Sequence, residues 1–291
     1  MIGLIPILRA AGSGSKNYDL NLIDPVTIRW AVHAGLGPLV YHLGGNQLSR
    51  LADPTSRDLL RGADLAAQLA MSDTLDALEE IFAASTDIAS KIVLLKGIST
   101  CQYLYPEPYL RTMGDIDLLV SAHNEQNLET LLLDLGYRQQ SSRPAEFYKT
   151  HHHSMPFFNK KKHSWVEVHT ALFSDQNIAS DRVFSSTHIE SQVTPIIFRG
   201  YKTNRLSYEQ EMAYIAAHWA FERKCFAGGV IPLFDMMFLI QKHGHELGWE
   251  HILTSLDGSQ TSVYLTLMLG YLQKNDIVHI PPKILLRLAS A

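Results

Sequence analysis

The hydrophobic positions fall into three regimes along the chain. Over residues 21–90 apolar side chains recur at helical spacing. Asp24-Pro25 supplies a capping residue ahead of a first-turn proline, and Ile28, Ala31, Val32 and Leu36 follow on one face. A longer amphipathic helix is predicted from about Ser56 to Ala84, with Leu60, Ala63, Leu65, Leu69, Leu75, Leu78, Ile81 and Phe82 as its apolar stripe. Over residues 91–204 the pattern shortens. KIVLLKG (91–97) reads as a buried strand ended by glycine, and a helix-and-loop stretch broken by Pro106 and Pro108 leads into the strand DIDLLV (115–120). A helix over 123–135 closes at Gly136, and strands over 146–158 and 163–170 flank the polar turn Asn159–Lys162 as a hairpin. Residues 205–291 return to helical patterning, opening at Ser207 with Glu209 and Gln210 in the first turn. This order predicts an α+β fold, a mixed sheet with helices on one face. Its divisions are an N-terminal helical region (1–90), a central core (91–204) and a C-terminal helical region (205–291). AAGSGSKNYD (10–19) reads as a flexible lead-in, and its GSGSK lacks the spacing of a phosphate-binding P-loop.

Composition narrows this only slightly. The chain has 291 residues, 46% hydrophobic and 19% charged, the profile of an ordinary globular protein. No apolar run approaches the ~20 residues of a membrane span. The apolar start Met1–Leu8 is too short for a secretory signal. Cys101 and Cys225 give neither a disulfide framework nor a metal-binding spacing, so buried thiols in a cytoplasmic protein are expected. A formal net charge of −4 argues against a dedicated nucleic-acid binder, and Lys160-Lys161-Lys162 reads as a solvated hairpin tip.

The chemistry is carried by charges where a buried strand should have none. Asp115 and Asp117 open the DIDLLV run, and alternation puts both on one side. Two carboxylates so placed repel unless a cation lies between them, and removing either should slightly stabilise the ion-free protein. In the later strand, Trp165, Glu167 and His169 share one face and Val166 and Val168 the other. Should the two strands be neighbours with these faces aligned, three carboxylates meet, a donor set suited to Mg²⁺ rather than Zn²⁺. The run His151-His152-His153 falls within a predicted strand, where alternation turns His152 away from its neighbours and argues against a three-histidine site. His169 reads equally as a substrate contact or a hydrogen-bonded structural residue. His218 and Asp235 read as packing or helix-linking residues, with an acceptor pocket between domains as the alternative; Trp165, Met236 and Met237 read as core.

LLKGIS (94–99), YPEPYLRTMGDIDLLV (105–120) and WVEVH (165–169) together resemble the nucleotidyltransferase superfamily typified by DNA polymerase β. Within it they resemble the bacterial group described as uncharacterised nucleotidyltransferases. IRWAVHAGLGPLVYHL (28–43) and the segments HWA and PLFDMMFLI (218–240) extend the likeness into both flanking regions. The resemblance implies a polymerase β-like catalytic core with a two-metal mechanism, in which Asp115, Asp117 and Glu167 hold Mg²⁺, or Mn²⁺ in its place. It implies nucleotide contacts from Lys96, Gly97, Ser99 and Arg111. It implies transfer of a nucleoside monophosphate from an NTP, with ATP expected, to a hydroxyl of a small molecule or protein, releasing pyrophosphate. Gly97-Ile98-Ser99 stands where the superfamily has Gly-Ser or Gly-Gly, and the interval to Asp115 is longer than in minimal members. Three other readings compete. RNA such as tRNA as the acceptor would need a basic face around Arg143, Lys149 and Lys160–Lys162. A non-catalytic antitoxin-like module would have no reason to keep three carboxylates, and a zinc hydrolase would have to use the histidine run.

Overall fold

A computed structural model describes residues 3–14, 16–174, 181–221 and 229–290. Cys225 lies outside them. Among the described residues a mixed seven-stranded sheet has the order β3-β4-β5-β2-β1-β7-β6. Its strands are β1 (Val93–Leu94), β2 (Ile116–Leu119), β3 (Arg138–Gln139), β4 (Phe157–Asn159), β5 (Ser164–His169), β6 (Val193–Phe198) and β7 (Tyr201–Leu206). β2 pairs in parallel with β5 and antiparallel with β1, while β1 pairs in parallel with β7.

The alternation read from the sequence divides the sheet. Leu94, Ile116, Leu118, Val166 and Val168 point to one face, where they join Leu78, Ile81, Phe82, Ile98, Leu128 and Leu132 in one apolar cluster. Those residues come from the helices Pro54–Ala84, Lys96–Tyr103 and Ala122–Asp134, so helices do pack on one face of the core sheet. Residues of opposite parity, Val93, Leu95 and Leu119, join a second cluster with the N-terminal helices and with the helices Tyr208–Phe221, Ile231–His243 and Gln260–Lys274. The charged residues of β2 and β5 lie on this second face.

Local signals explain most element ends. The Asp24 carboxylate accepts from the Thr27 amide at 2.9 Å ahead of Pro25, and Asp53 caps the long helix at Thr55 and Ser56. The Gln210 amide donates to Ser207 Oγ at 3.2 Å, the cap expected there. Gly136 takes φ +86 as the Ala122–Asp134 helix ends, a conformation that glycine adopts without steric cost.

Several expectations are corrected. The predicted stripe of the long helix is broken: Leu65 and Leu69 are 52% and 70% exposed. The helix passes from one cluster, joined through Leu60, to the other, joined through Met71 to Phe82, and is uncovered between them. Only Val93–Leu94 of the 91–97 run pairs as strand, because Lys96 already begins a helix. The strand predicted over 146–158 is confined to Phe157–Asn159; a short helix, Ala145–Tyr148, and a loop occupy the rest. The β6–β7 hairpin was not foreseen. Its strands carry Pro195, Lys202, Asn204 and Arg205, residues that break any apolar alternation, and β7 runs to Leu206.

Candidate active site

The β2–β5 register sets Asp117 directly across from Glu167, and Leu119 across from His169. Because the pair is parallel, these side chains share the second face, between the sheet and the C-terminal helices. Asp115 precedes β2 by one residue and lies in the same cleft wall as Asp117. Asp117, Glu167 and His169 each bring a ligand atom within 4.8 Å of the others.

Two cationic partners converge on a single oxygen. Asp117 Oδ1 accepts from Lys96 Nζ at 2.8 Å and from His169 Nε2 at 2.8 Å. Asp117 is 1% exposed and His169 fully buried. Burial alone would raise the Asp117 carboxyl, but the Lys96 ammonium and the His169 hydrogen bond outweigh it and hold the group far below the usual carboxylate range. Burial likewise works against a charge on His169, yet its hydrogen bonds to Asp117 and Glu167 carry its pKa above the ordinary value. Asp115 lacks such partners. The charge of Asp117, then burial, then the charge of Glu167 push its carboxyl up to about 7. Lys96 reaches Asp117 from a left-handed backbone, φ +50, which costs a non-glycine residue of order 1 kcal/mol and turns the strand end back over the carboxylate.

This donor set suits a hard divalent cation. Asp115 and Glu167 remain as like charges beside Asp117, and Glu167 Oε2 is 3.6 Å from His169 Nε2 and 3.8 Å from His153 Nε2. Three carboxylates with room for water and phosphate oxygens match Mg²⁺ or Mn²⁺.

Asp115 and Asp117 open onto a cleft of about 470 Å³ whose walls also include Lys96, Gly97, Arg111, Glu211, His218 and Asp235, with Glu167 across the register from Asp117. Arg111 lies in the cleft wall with its guanidinium already paired. Its Nε and Nη2 donate to Asp235 at 2.9 Å each, a bidentate fork whose other contact is Nη1 to the Thr112 carbonyl oxygen at 2.7 Å. Tyr105 Oη also donates to Asp235, at 2.7 Å. The 105–112 segment is thereby tied to the C-terminal helix Ile231–His243 just before the carboxylates. Gly97 lies in the cleft wall, but the close approach that requires glycine is internal: a Cβ there would stand 2.9 Å from Met113 Cβ. Ser99 is buried outside the cleft wall. Trp165 is half-buried and stacks on Phe158 at 4.5 Å rather than entering the core, whereas Met236 and Met237 are fully buried as expected. Cys101 is a buried thiol, pushed up to about 12 by burial.

Glu211 was missed. It is fully buried in the first turn of Tyr208–Phe221, and burial, then the charge of Asp235, push its carboxyl up to about 8. Its position in sequence is that of an ordinary exposed first-turn acid, so no local signal marks it. The histidine run also departs from expectation. His151 and His152 lie in the loop before β4 and His153 makes an isolated antiparallel bridge to His169, so no continuous strand separates the three rings; their centroids are 4.3 to 5.0 Å apart.

A family model described as "Uncharacterised nucleotidyltransferase" matches residues 25–275. No curated protein matches the chain. A similar solved structure is the solution structure of the antibiotic-resistance factor ANT(2'')-Ia, at 13% identity, covering 70% of this chain and 98% of that chain with a TM-score of 0.43. A likeness of that degree bears on neither acceptor nor mechanism. Among the described residues no helix is long and apolar enough to cross a membrane.

Proposed function

We propose, from the premise that the chain belongs to the uncharacterised nucleotidyltransferase family, that it moves a nucleoside monophosphate from an NTP, ATP foremost, to a hydroxyl of a small molecule or protein and releases pyrophosphate. The observation that carries this reading is the parallel register of Asp117 against Glu167 on one sheet face, beside a cleft lined by Asp115 and Asp117. In this reading residues 91–204 are the catalytic core, and the helical regions 1–90 and 205–291 complete the cleft.

Asp115, Asp117 and Glu167 would hold Mg²⁺, or Mn²⁺, whose positive charge neutralises the phosphoryl oxygens and favours loss of the acceptor proton. The remaining work falls to the chain. His169, fully buried against Asp117, fixes the orientation of that carboxylate. Glu167 Oε2 accepts the acceptor's proton. Lys96 brings a cation to the cleft wall beside Gly97, where it attracts phosphate oxygens. Arg111 acts one step removed: its fork on Asp235 holds the segment that leads into Asp115.

The cations that an RNA acceptor would need are largely engaged. Lys149 pairs with Glu146, Lys162 with Glu80, and Arg143 lies over the Phe147 ring. This favours a small-molecule or protein acceptor. The test is incubation of the protein with each α-labelled NTP, Mg²⁺ and cell extract, followed by fractionation of the label. Label in a metabolite or protein fraction, lost with chelator and with Asp115→Asn, is expected. Label confined to RNA would overturn the acceptor class, and absence of transfer with every NTP would overturn the activity.

A further inference from the structure

We infer that His151, His152 and His153 form a second cation site, distinct from the three carboxylates, for a borderline divalent ion of the zinc class. One ring nitrogen from each of the three lies within 4.8 Å of the others, so sub-ångström to ångström ring adjustments bring them to a common ion. Three consecutive residues do not converge on a regular strand or helix. Here His151 and His152 lie in the bend after Ala145–Tyr148 and His153 makes a single bridge to His169 of β5, which supplies that geometry.

The surroundings orient the rings for ligation. His153 Nδ1 lies 2.7 Å from the Ser154 carbonyl oxygen, which can only accept, so Nδ1 carries the proton and Nε2 presents the lone pair. A metal-bound histidine usually donates its other ring N–H to a carbonyl or carboxylate in this way. His152 Nδ1 meets Ser174 Oγ at 2.6 Å, which anchors its ring at the opposite side. His152 is 8% exposed, and the Phe147 ring covers His151 at 4.7 Å. Three gathered imidazoles form a poor site for Mg²⁺, which takes oxygen ligands, and a good one for Zn²⁺ or Co²⁺ completed by water. The ion would pin the 151–153 loop beside Glu167, whose Oε2 is 3.8 Å from His153 Nε2. None of this depends on nucleotidyl transfer.

The test uses the full chain, stripped of metal and titrated with CoCl₂ or ZnCl₂ under excess MgCl₂. One tight equivalent per chain is expected, with the intense visible bands of four-coordinate Co²⁺. His151→Gln and His152→Gln should each weaken binding at least tenfold, while Asp115→Asn leaves it unchanged. X-ray absorption of the zinc-loaded wild type, which needs no variant to fold, should count three imidazoles. Binding that excess Mg²⁺ displaces, that Asp115→Asn abolishes, or that shows fewer than three imidazoles would overturn the site.

Discussion

Lys96 Nζ stands 2.8 Å from Asp117 Oδ1, an ion pair in which the lysine side chain is 16% exposed and the aspartate 2%. The protein thus answers the charge of Asp117 from within, with His169 on the same oxygen, whereas Lys96 and His169 only partly offset the charge and burial that raise Asp115.

The two aspartates should consequently differ in stability, although turnover is expected to need both. Asp117→Asn strands the buried Lys96 and His169 charges and should cost ~3 kcal/mol, the low end for breaking a buried pair. This reverses the sequence expectation that removing either carboxylate stabilises. Asp115→Asn should stabilise, with a definite pH signature. A carboxyl raised to about 7 when folded favours the folded state below its unfolded pKa, and that contribution is lost as pH rises through 7. The Asn variant should therefore melt above wild type at pH 8, with the margin closing toward pH 4. Equal melting shifts for the two variants would remove the electrostatic distinction.

Glu167→Gln separates the transfer mechanism from a generic acidic patch. Glutamine keeps the shape but cannot take a proton. Nucleotide dissociation constants should hold within a few-fold, while the single-turnover rate drops ~10²–10⁴-fold or more. A variant that loses nucleotide affinity but keeps its maximal rate would make Glu167 a donor-site residue.

Arg111→Lys tests whether the arginine is a positioning residue. Lysine keeps the charge but cannot form the fork on Asp235, and should cost ~1–3 kcal/mol in chemical denaturation. Turnover should fall through displacement of the Asp115 segment, with NTP affinity reduced less than the rate. A variant that melts like wild type and loses only nucleotide affinity would return Arg111 to the phosphates.

Glu211 gives a second pH test, remote from the carboxylate cluster in sequence. With its carboxyl raised to about 8, it favours folding at low pH, and that contribution is lost as pH rises from the ordinary glutamate range through 8. Glu211→Gln should thus gain stability over wild type progressively between pH 5 and 9, read by urea denaturation at fixed temperature. A difference constant across that range would mean that Glu211 stays ionised.

Much of this was legible in the chain because alternation is a local property. The odd parity of Asp115, Asp117, Glu167 and His169 against the even parity of Ile116, Leu118, Val166 and Val168 sorts charges from core residues before any strand is placed. The helix start at Asp24 was equally local, since a cap acts within three residues. What tertiary structure decided is partnership over distance. The β2–β5 register brought Asp117 to Glu167 across 50 positions. Lys96, Arg111 and Glu211 look alike in sequence as charges near apolar runs. One became the counterion of Asp117, one the fork on Asp235, and one a buried acid, because an ionisable side chain's role is set by the charges and solvent that the fold brings to it. The histidine run shows the same limit: its predicted strand would have scattered the three rings, and the loop that replaced it gathers them.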